Sequence, residues 1–281
     1  EGRVEGREEG RSPPLLLTNG LTTSNFFWSY LHRRWVANHM VINWDLKGHG
    51  RSAPARTPEA ASITALADDL LRVLDAAGQR KAILIGFSMG CQISLEAYRR
   101  APERVAALVL LLGPAGRVFD NALGPIGKLL HLGIENMSPR VFNFSLRSMQ
   151  RVVASPIAYR LGRGLRLLGP AASRADVQRF IDHFVRDIDP ATLAAMALAA
   201  QAHSAEDLLP QIRVPTLLVA GDSDVFAPGA RVGAQLHRQI PASELLRLPY
   251  GTHTSLFEHH AEIGAAIDEF LARRLEAPVA T

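Results

Sequence analysis

The chain is 281 residues long, 47% hydrophobic and 21% charged, which is enough apolar material to bury a large core and too much for a disordered chain. Its 31 Lys and Arg outnumber its 27 Asp and Glu, but no block of like charge appears, so nucleic-acid binding has no support. The single cysteine, Cys91, excludes an intramolecular disulfide and any multi-cysteine metal cluster, and no apolar run approaches the ~20 residues of a membrane-spanning helix.

Residues 1–12 alternate acidic, basic and glycine residues and contain no apolar stretch of the kind a signal peptide needs. They are expected to be a disordered leader, and the expected location is cytoplasmic. Apolar runs follow at Leu15–Leu17, Met40–Trp44, Ala82–Ile85, Ala106–Leu112, Thr216–Ala220 and Leu245–Leu248. Most lack the alternation of a half-solvated strand, so they read as strands covered on both faces, in a mostly parallel sheet flanked by helices. Between them, Ile63, Leu66, Leu70, Leu71 and Leu74 predict a helix over Ala61–Ala77, and Ile263, Ile267, Phe270 and Leu271 mark a closing helix. That pattern gives an α/β architecture with its core in residues 13–115 and 210–281.

Residues 116–209 break the rhythm, with helical patterns and Gly/Pro punctuation but no convincing strand before Val214. The stretch reads as a helical cap whose apolar side packs on the core and whose arginines, such as Arg140, Arg147, Arg151, Arg160, Arg163 and Arg166, are solvated. A lid over an apolar acyl pocket is the sharper reading.

Chemistry concentrates in Gly86-Phe87-Ser88-Met89-Gly90, which lies between the run Lys81–Ile85 and an apolar-periodic stretch from Cys91 to Tyr98. A strand-to-helix turn forces its central residue into a strained conformation that only tiny neighbours tolerate, and it presents the Ser88 hydroxyl at a helix N-terminus, where the free N–H groups favour negative charge. A serine hydroxyl needs a base to take its proton, and the base needs a third group to orient it. Two later strands run into suitable loops: Val214–Ala220 leads to Asp222 and Asp224, and Leu245–Leu248 leads to His253. The two acids are two residues apart and face the same way on an extended chain, so side-chain direction does not choose between them.

Four blocks in this order carry a resemblance to the α/β-hydrolase family, in its esterase, lipase and C-C hydrolase-like branch: Asn19-Gly20-Leu21, Asp45-Leu46-Lys47-Gly48-His49-Gly50-Arg51-Ser52, the Ser88 turn, and the paired Asp and His loops. The chain resembles that family from about Leu15 to Leu271. The resemblance implies a triad of Ser88, Asp224 and His253, with Asp224 selected by the family's Gly-x-x-Asp pattern, and an oxyanion hole made by the backbone N–H groups of Leu21 and Met89. The chain departs from the family in having Asn19-Gly20 where many relatives carry His-Gly.

Other polar residues have plainer readings. His49 shapes the Gly-His-Gly turn, His259 and His260 face solvent, Cys91 is a small buried side chain, and no metal or cofactor is predicted. The expected partner is a small-molecule ester with an apolar portion, cleaved through an acyl-enzyme on Ser88. The same triad serves C-C, lactone or thioester bonds, and a non-catalytic ligand-binding protein on the same fold is the competing class.

Overall fold

A computed structural model describes residues 2–6, 12–121, 139–153, 158–165 and 167–275. Among these residues the six apolar runs and one polar segment form seven strands: β1 (Gly2–Glu5), β2 (Leu15–Thr18), β3 (Val41–Trp44), β4 (Ala82–Phe87), β5 (Val105–Leu111), β6 (Thr216–Gly221) and β7 (Glu244–Leu248). They make one sheet in the order β1-β3-β2-β4-β5-β6-β7, and every pairing is parallel except that of β1 with β3.

The first strand corrects one expectation. Gly2–Glu5 are not a frayed leader: they pair antiparallel with β3, Val4 opposite Ile42. Edge pairing needs only the backbone N–H and C=O groups that β3 would otherwise leave open, so a polar sequence suffices. Glu1 and residues 7–11 of the expected leader lie outside the described residues.

Side chains on successive strand residues point to opposite faces, and from β2 to β6 both faces are buried, which is why those strands read as nearly continuous apolar runs, whereas β7 at the edge is only half-buried. Leu16, Leu84, Leu108, Leu110 and Leu218 join one core cluster; Leu15, Leu17, Ile83, Ile85, Val109, Leu111, Leu217 and Val219 join the other. Each fully buried side chain of this size contributes roughly 1.5–3 kcal/mol. The first cluster is closed by α2 (Ile63–Ala76) and α3 (Met89–Arg100), the second by α1 (Ser29–Trp35) and the closing helix, whose Ile263, Ile267, Phe270 and Leu271 are all buried. The α2 helix starts two residues later than the periodicity alone predicts, because Ser62 is extended and its hydroxyl accepts from the Ala65 N–H as an N-cap.

Between β5 and β6 the described residues form helices and no strand: α4 (Val118–Asn121), α5 (Pro139–Val153), α6 (Ala158–Gly164), α7 (Arg174–Arg186) and α8 (Pro190–Ala202). Ser173 caps α7 and Asp189 caps α8 through their side chains. Arg166 and residues 122–138 and 154–157 of this insertion lie outside the described residues. After β6 come α9 (Ala234–Gln239), α10 (Ser255–Glu258) and α11 (His260–Leu275), the closing helix. No helix among the described residues is long and apolar enough to cross a membrane.

Candidate active site

β4 ends at Phe87 and α3 begins at Met89, so Ser88 alone makes the turn, with φ 54° and ψ −119°. This is a strained conformation for a residue with a Cβ. It survives because the flanking backbone is packed too closely to relax: a Cβ on Gly86 would strike the Gly90 carbonyl, and one on Gly90 the Thr18 carbonyl. The Ser88 N–H is tied to Leu111 O across the sheet at 2.9 Å.

Sheet order brings the second element of the site here. The chain passes from β2 to β3 on one side and then returns to β4 on the other, so β2 and β4 are neighbours with Thr18 aligned to Gly86, and their following loops diverge around a crevice at the carboxyl ends of the strands. Gly20 therefore lies directly against Ser88, close enough that a Cβ there would sit 2.9 Å from the serine's own Cβ. Asn19, the departure from the family's His-Gly, is fully buried and satisfied: its amide donates to Trp44 O at 2.9 Å and its carbonyl accepts from Trp28 Nε1 at 2.9 Å.

The next residue, Leu21, is held from two sides. Its side chain packs on apolar residues of the insertion, including Ile188, Leu193 and Ala194, and its carbonyl oxygen lies 2.7 Å from His49 Nε2. His49 Nδ1 is 2.9 Å from Lys47 O, so the ring does more than shape its own turn: it ties the Gly-His-Gly loop to the loop beside Ser88. Burial pushes the His49 pKa below its ordinary 6.5, against the opposing pull of the Lys47 and Leu21 carbonyls and of Asp45 and Asp189. Met89 opens α3, where a backbone N–H has no acceptor within the helix.

β6 and β7 deliver the remaining groups. His253 Nε2 lies 2.9 Å from Ser88 Oγ, and His253 Nδ1 lies 2.8 Å from Asp224 Oδ2. A carboxylate only accepts, so Nδ1 carries the proton and Nε2 is left to accept from the serine hydroxyl. Asp224 is 2% exposed, and its other oxygen accepts from the Phe226 and Ala227 N–H groups at 2.8 and 3.0 Å, which fixes the carboxylate plane. The imidazole sits between the rings of Phe87 and Phe226, with centroids 5.1 and 5.0 Å away.

Asp222 does not reach His253. The chain is turned after Gly221 rather than extended, with Ser223 N–H bonded to Gly251 O and Asp224 N–H to Gly221 O, so the two acids face different ways. Asp222 pairs instead with Arg247 near the surface, at 2.8 and 3.2 Å.

One residue of this neighbourhood has no sequence signal of its own. Glu258 Oε1 accepts from Thr252 Oγ1 at 2.8 Å, from Thr254 Oγ1, and from the Gly169 N–H of the insertion at 2.9 Å, so a single carboxylate oxygen clasps both neighbours of His253. Only the four-residue helix α10 brings Glu258 back over that loop. Two expectations are corrected nearby: His259 and His260 are half-buried rather than solvated, because His260 stacks on Tyr30 with centroids 4.2 Å apart and His259 faces Glu262 at 3.5 Å.

Cys91 is fully buried just behind the turn, and burial pushes its thiol up to about 12. A cavity of about 840 Å³ lies beside Asn25, Asn43 and Asp45, and neither Ser88 nor His253 lines it. Among the described residues no group of His, Cys, Asp and Glu is arranged to hold a metal ion.

A family model described as the alpha/beta hydrolase fold matches residues 13–260. A protein of Azorhizobium caulinodans named carbamate hydrolase RutD is 29% identical over 251 residues, covering 87% of this chain and 85% of its own. A pimeloyl-[acyl-carrier protein] methyl ester esterase of Neisseria meningitidis is 26% identical, covering 97% and 82%. Among solved structures, the enol-lactonase from Burkholderia xenovorans superposes with a TM-score of 0.76 at 22% identity, over 97% of this chain and 96% of that one.

Proposed function

The chain belongs to the α/β-hydrolase family, and from that premise we propose that it cleaves a carboxylic ester with an apolar portion through an acyl-enzyme on Ser88. The observation that carries this reading is the unbroken relay from Asp224 through His253 to Ser88 Oγ, at 2.8 and 2.9 Å.

In this reading Ser88 Oγ attacks the ester carbonyl carbon while His253 Nε2 takes the hydroxyl proton as general base. Negative charge gathers on the carbonyl oxygen, which the backbone N–H groups of Met89 and Leu21 receive; one such donor is worth about 3–4 kcal/mol in the transition state. Asp224 stabilises the imidazolium and holds its tautomer. The tetrahedral intermediate collapses, His253 returns the proton to the leaving alkoxide, and the alcohol departs. Water, deprotonated by His253, then attacks the acyl carbon and releases the acid with Ser88 restored.

Support for an apolar portion comes from the insertion, whose Ile188, Leu193 and Ala194 meet Leu21. A second reading, carbamate cleavage, is favoured by the name of the Azorhizobium relative and needs the same attack on an sp² carbonyl. A panel of nitrophenyl esters with acyl chains of two to sixteen carbons, run beside a nitrophenyl carbamate, separates the two. Turnover of esters, abolished in Ser88→Ala, is the expected result. Zero turnover across the esters while the carbamate is cleaved would overturn the ester assignment and keep the triad.

A further inference from the structure

Between Glu135 and Asp176 the sequence holds seven arginines and no Lys, Asp or Glu. The other 24 basic residues of the chain are outnumbered by its 27 acidic ones, so the net charge of +4 belongs to this stretch of the β5–β6 insertion. The same stretch carries Val141, Phe144, Val152, Leu161 and Leu165, five of the seven large apolar side chains that stand exposed among the described residues.

Charge and apolar surface share the same faces. On α5 the inward side is set by Gln150, whose amide donates to the Phe184 carbonyl at 2.8 Å, and by Val153, which packs towards α7. Helical periodicity then turns Phe144, Arg147, Arg151 and Val152 outward, and all four are exposed. On α6, Tyr159 packs inward, Arg160 and Leu161 point out, and the exposed Arg163 donates to Tyr159 Oη at 3.5 Å and to Pro170 O at 3.4 Å, followed by exposed Leu165. Among the described residues no ion pair engages Arg147, Arg151, Arg160 or Arg163. Phe144 is 69% exposed and Leu165 65%.

Water offers nothing to these apolar groups, and among the described residues Arg147, Arg151, Arg160 and Arg163 have no acid to answer them. A bilayer interface answers both: apolar side chains enter the acyl boundary while the guanidinium groups engage phosphate oxygens in a bidentate manner. The exposed apolar residues are spread among arginines along two helices and the residue after the second, rather than gathered into one cluster, which suits a planar lipid surface better than the single deep anchor of a protein partner. We propose that the outward face of α5 and α6 docks on an anionic lipid surface.

The test is co-sedimentation of the full chain with vesicles of phosphatidylcholine alone and of phosphatidylcholine with about one third phosphatidylglycerol, at about 0.1 M salt. Binding is expected to the anionic vesicles only, to weaken as salt rises, and to fall at least about tenfold in the double variant Arg147→Glu/Arg151→Glu and in Phe144→Ser. Thermal unfolding of the variants checks that they fold, and nitrophenyl ester turnover without vesicles should match wild type, so loss of docking is read separately from loss of hydrolysis. The proposal is overturned by sedimentation with neither vesicle, by equal binding to the neutral one, or by binding that survives the charge reversals. A face that ignores vesicles but captures polyglutamate overturns it in favour of an acidic protein.

Discussion

Replacing Asp224 with asparagine keeps the size of the side chain and changes what it can offer His253. In wild type, Oδ1 accepts two backbone N–H groups, from Phe226 and Ala227, and Oδ2 accepts the Nδ1–H of His253. Those two N–H donors keep the amide oxygen of an asparagine on their side, so the amide NH₂ faces Nδ1. The ring must then accept at Nδ1, which moves its proton to Nε2, and a protonated Nε2 cannot take the proton of Ser88 Oγ. Geometry is preserved and the tautomer is wrong. The expected loss in kcat is about 10⁴-fold, or about 5.5 kcal/mol of transition-state stabilisation, with the melting temperature little changed. Asp222→Asn removes only a surface ion pair with Arg247, worth about 1 kcal/mol or less, and should leave kcat unaltered. Steady-state hydrolysis of nitrophenyl acetate by the two variants decides the matter. An Asp224→Asn enzyme within tenfold of wild type, or an Asp222→Asn enzyme as damaged as it, would refute the relay.

Three further outcomes follow from the same geometry. Gly90→Ala drives a methyl group into the Thr18 carbonyl beneath the Ser88 turn, so urea unfolding should show a loss of roughly 1–3 kcal/mol with turnover reduced; an unchanged midpoint would mean the turn has room for a Cβ at that position. Cys91, with its thiol pushed up to about 12, holds only about one part in 10⁴ of thiolate at pH 8, so iodoacetamide should leave the native protein unmodified and alkylate it fully in urea, read by intact mass. His49 is held below its ordinary 6.5 by burial, so below that pH the unfolded chain binds a proton that the native chain refuses, and stability falls as pH drops towards the native value, by up to about 1.4 kcal/mol per pH unit. His49→Gln should remove that slope between pH 6.5 and 5.5 in urea titrations, and a slope equal to wild type would place the acid sensitivity elsewhere.

The strands and the Ser88 turn are legible in the sequence for one reason: both faces of the sheet are buried, so Ala82–Phe87 and Val105–Leu111 must be apolar throughout, and the turn between β4 and α3 tolerates only glycine at Gly86 and Gly90. What sequence reading leaves open depends on turns of the backbone. Asp222 and Asp224 are equivalent on an extended chain and separate only because the chain folds back after Gly221. His49 reveals its reach to Leu21, 28 residues away, only when β2 and β3 lie side by side. Glu258 holds the His253 loop through a helix of four residues, too short for periodicity to detect. Gly2–Glu5 pair through backbone groups alone, which composition does not report.

Covalent labelling bears most directly on Ser88. Treated with a fluorophosphonate, the protein should gain one phosphonyl group per chain, mapped by peptide mass spectrometry to the segment holding Ser88, with labelling lost in Ser88→Ala and slowed by orders of magnitude in His253→Ala. A wild-type chain that takes no label, or a Ser88→Ala chain that labels as fast as wild type, would contradict a nucleophilic Ser88.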